Sequence, residues 1–277
     1  MSLPVYLADG LAPTPVGERV ACGPDVAGHA VRVRRMRTGE PLQLVDGRGL
    51  RITGTITAAA PDALTVEVTA CTRDPEPAPG LMLVQGLAKQ DRDLQAIEAA
   101  TEVGVDAVVP WAAQRSIADW PAKKQAKMIQ RWENTLRAAT LQARRSRIPE
   151  LAGLARGTGL TTAFAPGDHV LVLHEEAAVH LPTALARRPA DTARIVLVVG
   201  PEGGIAPEEI AACTEAGAVP VRLGDTVLRT SSAGPVGLAL CQMLLGRWAD
   251  AHVGSEPAVD SEPGAGPAAP AGPGATR

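Results

Sequence analysis

Five short runs rich in Val, Leu and Ile set the strongest limit on what this chain can fold into. They are LMLVQGL (81–87), VDAVVP (105–110), HVLVLHE (169–175), ARIVLVVG (193–200) and AVPVRLG (218–224). A strand with one wet face alternates apolar and polar residues, and these runs do not. Near-continuous apolar strands are buried on both faces, which is the signature of a mainly parallel sheet covered by helices. Helical stretches between the runs fit that architecture. DRDLQAIEAATEVG (91–104) places Leu94, Ile97 and Thr101 on one face and closes on Gly104, suited to the left-handed turn after a helix. PEEIAACTEAG (207–217) opens with Pro207 at a first helical position and ends at Gly217. PVGLALCQMLLGRWAD (235–250) reads as a last helix starting at Pro235, apolar nearly all round. One core-facing stripe cannot bury such a helix, so its second face is expected to meet another copy of the chain.

The first 73 residues have a different texture. AVRVRRM (30–36), PLQLVD (41–46), LRITGTITAA (50–59) and ALTVEVTA (63–70) are β-like runs separated by turn signals, and they predict a small β-barrel or sandwich over 1–73. Asp46-Gly47-Arg48-Gly49 reads as a hairpin tip carrying a positive charge. DPEPAPG (74–80) is a proline-rich linker to a second domain over 81–251. Residues 252–277 are dominated by Pro, Gly and Ala and predict a disordered tail.

Composition narrows the function classes. Aromatic residues make up 2%, so the cores are expected to be Leu, Val, Ile and Ala. Cys22, Cys71, Cys213 and Cys241 stand alone, without a CxxC pair or a His at ligand spacing. They read as buried thiols in a reducing compartment, with no metal site. The start has no basic leader and no apolar run approaches 18 residues, which predicts a cytoplasmic protein with no membrane partner. A net charge of −3 does not by itself predict a nucleic-acid partner. The charge is unevenly spread, however. VRVRRMR (31–37) holds four arginines in seven positions, and Lys123–Arg147 contains KKQAK and ARRSR. A solvated surface explains one such cluster; two in an acidic chain point to an anionic partner, RNA first among them.

Three of the strand runs end in distinctive loops: LHEEA (173–177), GPEGG (200–204) and LGDTVLRTSS (223–232). In an open parallel sheet, ligands bind at the carboxyl ends of strands. Taken singly, LHEEA could be a polar strand exit and GPEGG a tight turn. GPEGG precedes a helix, as phosphate cradles do. Yet Glu208 and Glu209 occupy that helix's first turn, and with Glu202 they would repel a polyphosphate. The chain has no GxxxxGK[ST], and no GxGxxG follows a strand. S-adenosylmethionine fits the electrostatics better, because its sulfonium is cationic and glycines let backbone groups approach its adenine. Ser231, Ser232 and His174 do not sit in a GxSxG elbow, and HEE is not a zinc-binding HExxH.

LVVGPEGGIAPEEI (197–210), LGDTVLRTSSA (223–233), AIEAATEVGVDAVVP (96–110) with QRS (114–116), and QARRSRIPEL (142–151) follow one another in a known order. In these motifs the chain closely resembles the 16S ribosomal RNA uracil-N3-methyltransferases, the RsmE family of the SPOUT superfamily. The resemblance implies a SPOUT-type parallel sheet with a C-terminal trefoil knot, preceded by a PUA-like, RNA-binding β-barrel. It also implies transfer of a methyl group from S-adenosylmethionine to N3 of a uridine in 16S rRNA of the small ribosomal subunit, while the apolar last helix points to a homodimer. Carried over by motif, the cofactor would meet Leu173, His174, Gly200, Glu202, Gly203, Leu223, Gly224, Leu228, Arg229 and Thr230. RNA would be gripped by Arg32, Arg34, Arg35, Arg37, Lys89, Arg115, Arg144, Arg145 and Arg147.

Uracil N3 must lose a proton before it is a good nucleophile. The reaction therefore calls for a proton acceptor and for positive charge near the uracil oxygens. Arg229 is the candidate for the charge, with a purely structural arginine as its competitor. Glu202, Glu175 or water would take the proton. Many relatives carry Glu where this chain has Ser231, so Ser231 is given no such role. That departure keeps open a knotted RNA-binding or ribosome-assembly protein with weak or no catalysis. A Rossmann-type nucleotide-dependent enzyme is the third possibility.

Overall fold

The computed structural model of the protein describes residues 3–248. The tail expected over 252–277 lies outside these residues. The N-terminal sheet contains β1 (Val5–Leu7), β2 (Arg19–Cys22), β3 (Pro41–Val45), β4 (Leu50–Ala59) and β5 (Leu64–Arg73), in the order β1-β3-β4-β5-β2. β1 pairs with β3 in parallel, and the other neighbours are antiparallel. Leu42, Leu44, Ile52, Ile56, Val66 and Val68 alternate along these strands into one buried core.

Residues 30–36 are not the expected strand. α1 (Pro24–Ala27) runs into a wider helical turn over Gly28–Val33. Val26, Ala27 and Ala30 are buried against the barrel, while Arg32, Val33 and Arg34 are exposed. The alternation in VRVRR imitates a strand, but burial here follows the three-to-four-residue spacing of a helix face.

The second sheet comprises β6 (Gly80–Gly86), β7 (Ala107–Ala112), β8 (Glu150–Leu151), β9 (Ala155–Arg156), β10 (Asp168–Leu173), β11 (Arg194–Val199) and β12 (Val219–Val221). Its order is β12-β10-β11-β6-β7-β8, with β9 also on β7, and every pairing is parallel. α2 (Arg92–Val103), α3 (Ala122–Gln142), α4 (Leu181–Ala186), α5 (Pro207–Glu215) and α6 (Thr230–Leu244) surround it. Successive side chains enter two separate cores. Leu81, Leu83, Leu171, Ile195 and Leu197 face one way, into a cluster with residues of α2, α3, α4 and α6. Met82, Val84, Val170, Val172, Val196 and Val198 face the other way, with Cys213 of α5. Burial on both sides is why the strand sequences carry no polar alternation; each such side chain contributes about 1.5–3 kcal/mol. The cores are not purely aliphatic. Trp111, Trp120 and Trp132 are fully buried, and the last two meet edge-to-face at 5.3 Å between ring centroids.

α6 starts at Thr230, ahead of the expected Pro235, which falls inside the helix. The helix packs across β6 and β11 and against α2 and α4. Gln242 at its far end donates to the Val103 carbonyl at 2.9 Å, capping α2. Among the described residues no helix is long and apolar enough to cross a membrane.

The two sheets are joined by a polar seam. The β3–β4 hairpin tip does not stand free. Ile148 N–H donates to the Gly47 carbonyl at 3.0 Å, and Gly49 N–H donates to the Ser146 carbonyl at 3.1 Å. Asp74, in the linker, accepts from Ser146 Oγ and from Arg51, and Arg51 also donates to the Arg144 carbonyl at 3.1 Å. Arg35 and Arg144 both have φ of 57°, closing helical segments in the left-handed conformation usually left to glycine. An L side chain there costs about 1–2 kcal/mol.

Asp93, in the first turn of α2, is 5% exposed. Burial pushes its carboxyl up to about 6, opposed by backbone N–H groups such as that of Leu94. Because the folded-state value lies above the unfolded one, the group's contribution is full below about pH 4 and is lost as pH rises through about 6. Asp93→Asn keeps the acceptor oxygen and removes the charge. Urea unfolding should show the variant gaining roughly 2–3 kcal/mol over wild type at pH 7.5 and almost nothing at pH 4.

Candidate functional site

In a parallel sheet all carboxyl ends lie on one edge, so the loops after β10, β11 and β12 must emerge together. They enclose a cavity of about 370 Å³ lined by Leu173, His174 and Glu175 from the first loop, Gly200, Pro201, Glu202, Gly204 and Ile205 from the second, and Val227–Thr230 from the third. A second cavity of about 420 Å³ adjoins it across Val227 and Leu228 and reaches Leu223 and Gly224. Of the residues expected at a cofactor, Leu173, His174, Gly200, Glu202, Leu228, Arg229 and Thr230 line the first cavity, and Leu223 and Gly224 line the second. Gly203 lies behind the wall. A Cβ there would stand 2.7 Å from the Arg115 carbonyl oxygen, so glycine lets the second loop pack on the 113–116 turn. A larger cavity, about 550 Å³, lies elsewhere, between the barrel and α3. The strand-end loops converge on the smaller pair, which makes that pair the candidate site.

A buried relay holds the second and third loops together. Gln85 of β6 is fully buried; its Nε2 donates to Thr230 Oγ at 2.9 Å, and that hydroxyl donates to the Gly200 carbonyl at 2.7 Å. Thr230 is the first residue of α6, so the relay pins the helix start to the β11 loop. This explains why hydroxyls stand at the head of a buried helix. Gln85 was missed by sequence reasoning, although it is the one polar residue in LMLVQGL. Arg92, another lining residue, was missed as well.

Glu202 is held rather than free. Its Oε1 accepts from Lys89 N–H and from Arg92, both at 3.2 Å. Gln90 and Asp91, with φ of 55° and 58°, present Lys89 and Arg92 to it. Glu209 is buried, and its two oxygens accept from Ala206 N–H at 3.0 Å and Gln114 N–H at 2.7 Å. It thereby caps α5 and ties the 113–116 turn to the second loop. Glu175 and Arg229 are exposed at the cavity, and neither side chain has a hydrogen bond or ion pair among the described residues. Ser231 lines neither cavity.

The expected RNA contacts divide into groups. Arg32, Arg34, Arg35 and Arg37 are exposed on the barrel, and Lys89 and Arg115 are exposed beside the second loop. Arg144 is exposed below α3. Arg145 and Arg147 face partners within the chain. Arg145 pairs with Asp106 and donates to the Thr101 carbonyl; Arg147 donates to the Asp74 carbonyl at 2.8 Å and pairs with Glu76.

Comparison with known proteins agrees with this geometry. Residues 75–242 match the RNA methyltransferase domain family, and residues 23–69 match the RNA methyltransferase PUA domain. The chain is 43% identical over 224 residues to the ribosomal RNA small subunit methyltransferase E of Mycobacterium bovis, covering 79% of this chain and 84% of that protein. Its fold matches the crystal structure of the protein of that name from Neisseria gonorrhoeae bound to S-adenosyl methionine. The TM-score is 0.77 at 26% identity, over 88% of this chain and 98% of the other. A putative methyltransferase of Legionella pneumophila in complex with the same cofactor matches with a TM-score of 0.74 at 25% identity, over 88% and 98%. The protein is therefore a member of the RNA methyltransferase family, of the ribosomal RNA small subunit methyltransferase E type.

Proposed function

We propose that the protein methylates N3 of a uridine in 16S rRNA of the small ribosomal subunit, using S-adenosylmethionine. The observation that carries this is the meeting of three strand-end loops around one cavity, in a chain of this family. The walls fit the cofactor: Leu173, Val199, Ile205, Leu228 and Ala233 give an apolar surface, and the second and third loops offer backbone groups between them. When bound, the cofactor supplies a methyl group on a sulfonium, whose S–C bond breaks as uracil N3 takes the carbon. The protein's part is to place the two reactants and manage charge. The unpaired guanidinium of Arg229 stabilises charge on the uracil oxygens. Glu175 accepts the N3 proton in preference to Glu202, whose carboxylate is engaged by Arg92 and Lys89. N3 lies on the pairing edge, so the target uridine is unpaired or flipped out.

The knot belongs to the same proposal. α6 follows edge strand β12 yet packs on β6 and β11 at the centre of the sheet, as a threaded segment would. α6 also leaves Val236, Met243 and Leu244 exposed, and we assign that face to a second copy of the chain, in the cytoplasm. Titration calorimetry tests the site: S-adenosylhomocysteine should bind, and NAD and ATP should not. Tight binding of NAD or ATP would favour a nucleotide-dependent enzyme instead. RNA affinity should fall steeply between 50 and 200 mM salt, by about tenfold or more for even a few phosphate contacts. A flat response in a filter-binding assay would remove the arginines as the grip.

A further inference from the structure

The larger cavity is unused by the chemistry above. It opens between the barrel and α3, and it collects arginines from both domains: Arg34, beside His29, from the first, and Arg137 and Arg144 from the second. Asp9 and Asp25 also line it, yet no ion pair joins either to these arginines. All three guanidiniums lack a hydrogen-bond acceptor among the described residues, although they are gathered at one cleft. Arg144 is the most telling. It holds a left-handed conformation that glycine would adopt at less cost, and Arg51 of the barrel fixes its backbone through the Arg144 carbonyl. Arg51 is itself braced by Asp74 and Gln43. The seam between the domains therefore sets the cleft rigidly before any ligand arrives. Val5, Val26 and Val33 also line the cleft and give it an apolar surface, with Val33 70% exposed.

We propose that this cleft binds one unpaired nucleotide of the RNA substrate, away from the uridine that is methylated. Guanidiniums recognise phosphate as a planar, always-charged donor set, and the valine wall takes the face of a base. An aspartate carboxylate accepts from the ring N1–H and the exocyclic N2–H of guanine together, which favours guanine over uracil, whose pairing edge carries a single N–H. At about 550 Å³ the cleft has room for a nucleotide. It thus acts as a second anchor that sets the register between barrel and methyl-transfer site.

The inference rests on RNA being the substrate, and the test separates the two. Arg137→Glu is the main variant, because Arg137 is exposed and lies outside the methyl-transfer cavity. Methyl transfer to small subunits, salt dependence, S-adenosylhomocysteine affinity and melting temperature are measured together. The expected result is a KM for subunits raised at least tenfold, with kcat, cofactor affinity and melting temperature as in wild type. The slope of log affinity against log salt should fall by about 0.7 for the lost phosphate contact. Arg137→Lys should recover most of the KM. An unchanged KM and salt slope in Arg137→Glu, with wild type active, overturns the second anchor and leaves the proposed function standing. A wild-type protein that transfers no methyl to subunits overturns the proposed function first.

Discussion

Arg229→Ala should lower the single-turnover rate of methyl transfer by about 10²- to 10³-fold, the range for removing one donor that meets developing charge. Its side chain is exposed at the cavity and makes no hydrogen bond or ion pair among the described residues. Cofactor affinity and thermal stability should therefore stay near wild type. A purely structural arginine would show the opposite pattern, with a lower melting temperature and a proportionate loss of cofactor binding. Arg229→Lys keeps charge but loses the planar donor set, and should fall between the two. Rapid-quench assays at saturating cofactor, with calorimetry on the same samples, distinguish these outcomes.

Gly86→Ala should be as damaging by another route. A Cβ at Gly86 would stand 2.6 Å from Pro201 N and 2.8 Å from Gly200 C. Both are backbone atoms of the second loop and cannot swing aside. Relief requires that loop to lift from β6, and the Gly200 carbonyl is where the Gln85–Thr230 relay ends. Overpacking of this kind costs about 1–3 kcal/mol. Cofactor affinity should fall more than tenfold, because the cavity floor and the start of α6 move together. Gly153→Ala is the control: a Cβ there meets nothing within 4 Å. Equal melting temperatures and affinities for the two variants would show that the close approach at Gly86 does not shape the site.

Much of this was legible because burial leaves a mark on composition. The runs that became β6, β7, β10, β11 and β12 could only be strands covered on both faces, so their loops had to share an edge. The same logic misled at 30–36, where arginines on the outer side of a helical turn happen to alternate with valine. Pro235 suggested a helix start, but tertiary contacts on Thr230 begin the helix earlier. The inward role of Arg145 and Arg147 was hidden because their acceptors Thr101 and Asp74 lie 44 and 73 positions away. Gln85 was visible as a lone amide in an apolar strand, a pattern that demands a buried partner. Its partner lies 145 positions on, in the helix that packs across the same strand.

In the proposed function, three strand-end loops hold a methyl donor for N3 of a uridine in small-subunit RNA. Small subunits from cells lacking the protein, incubated with it and isotopically labelled S-adenosylmethionine, can be digested and mapped by mass spectrometry. One labelled N3-methyluridine at a single position is the predicted result. Label on a ribose or on another base, or subunits bound with no label transferred, would contradict it.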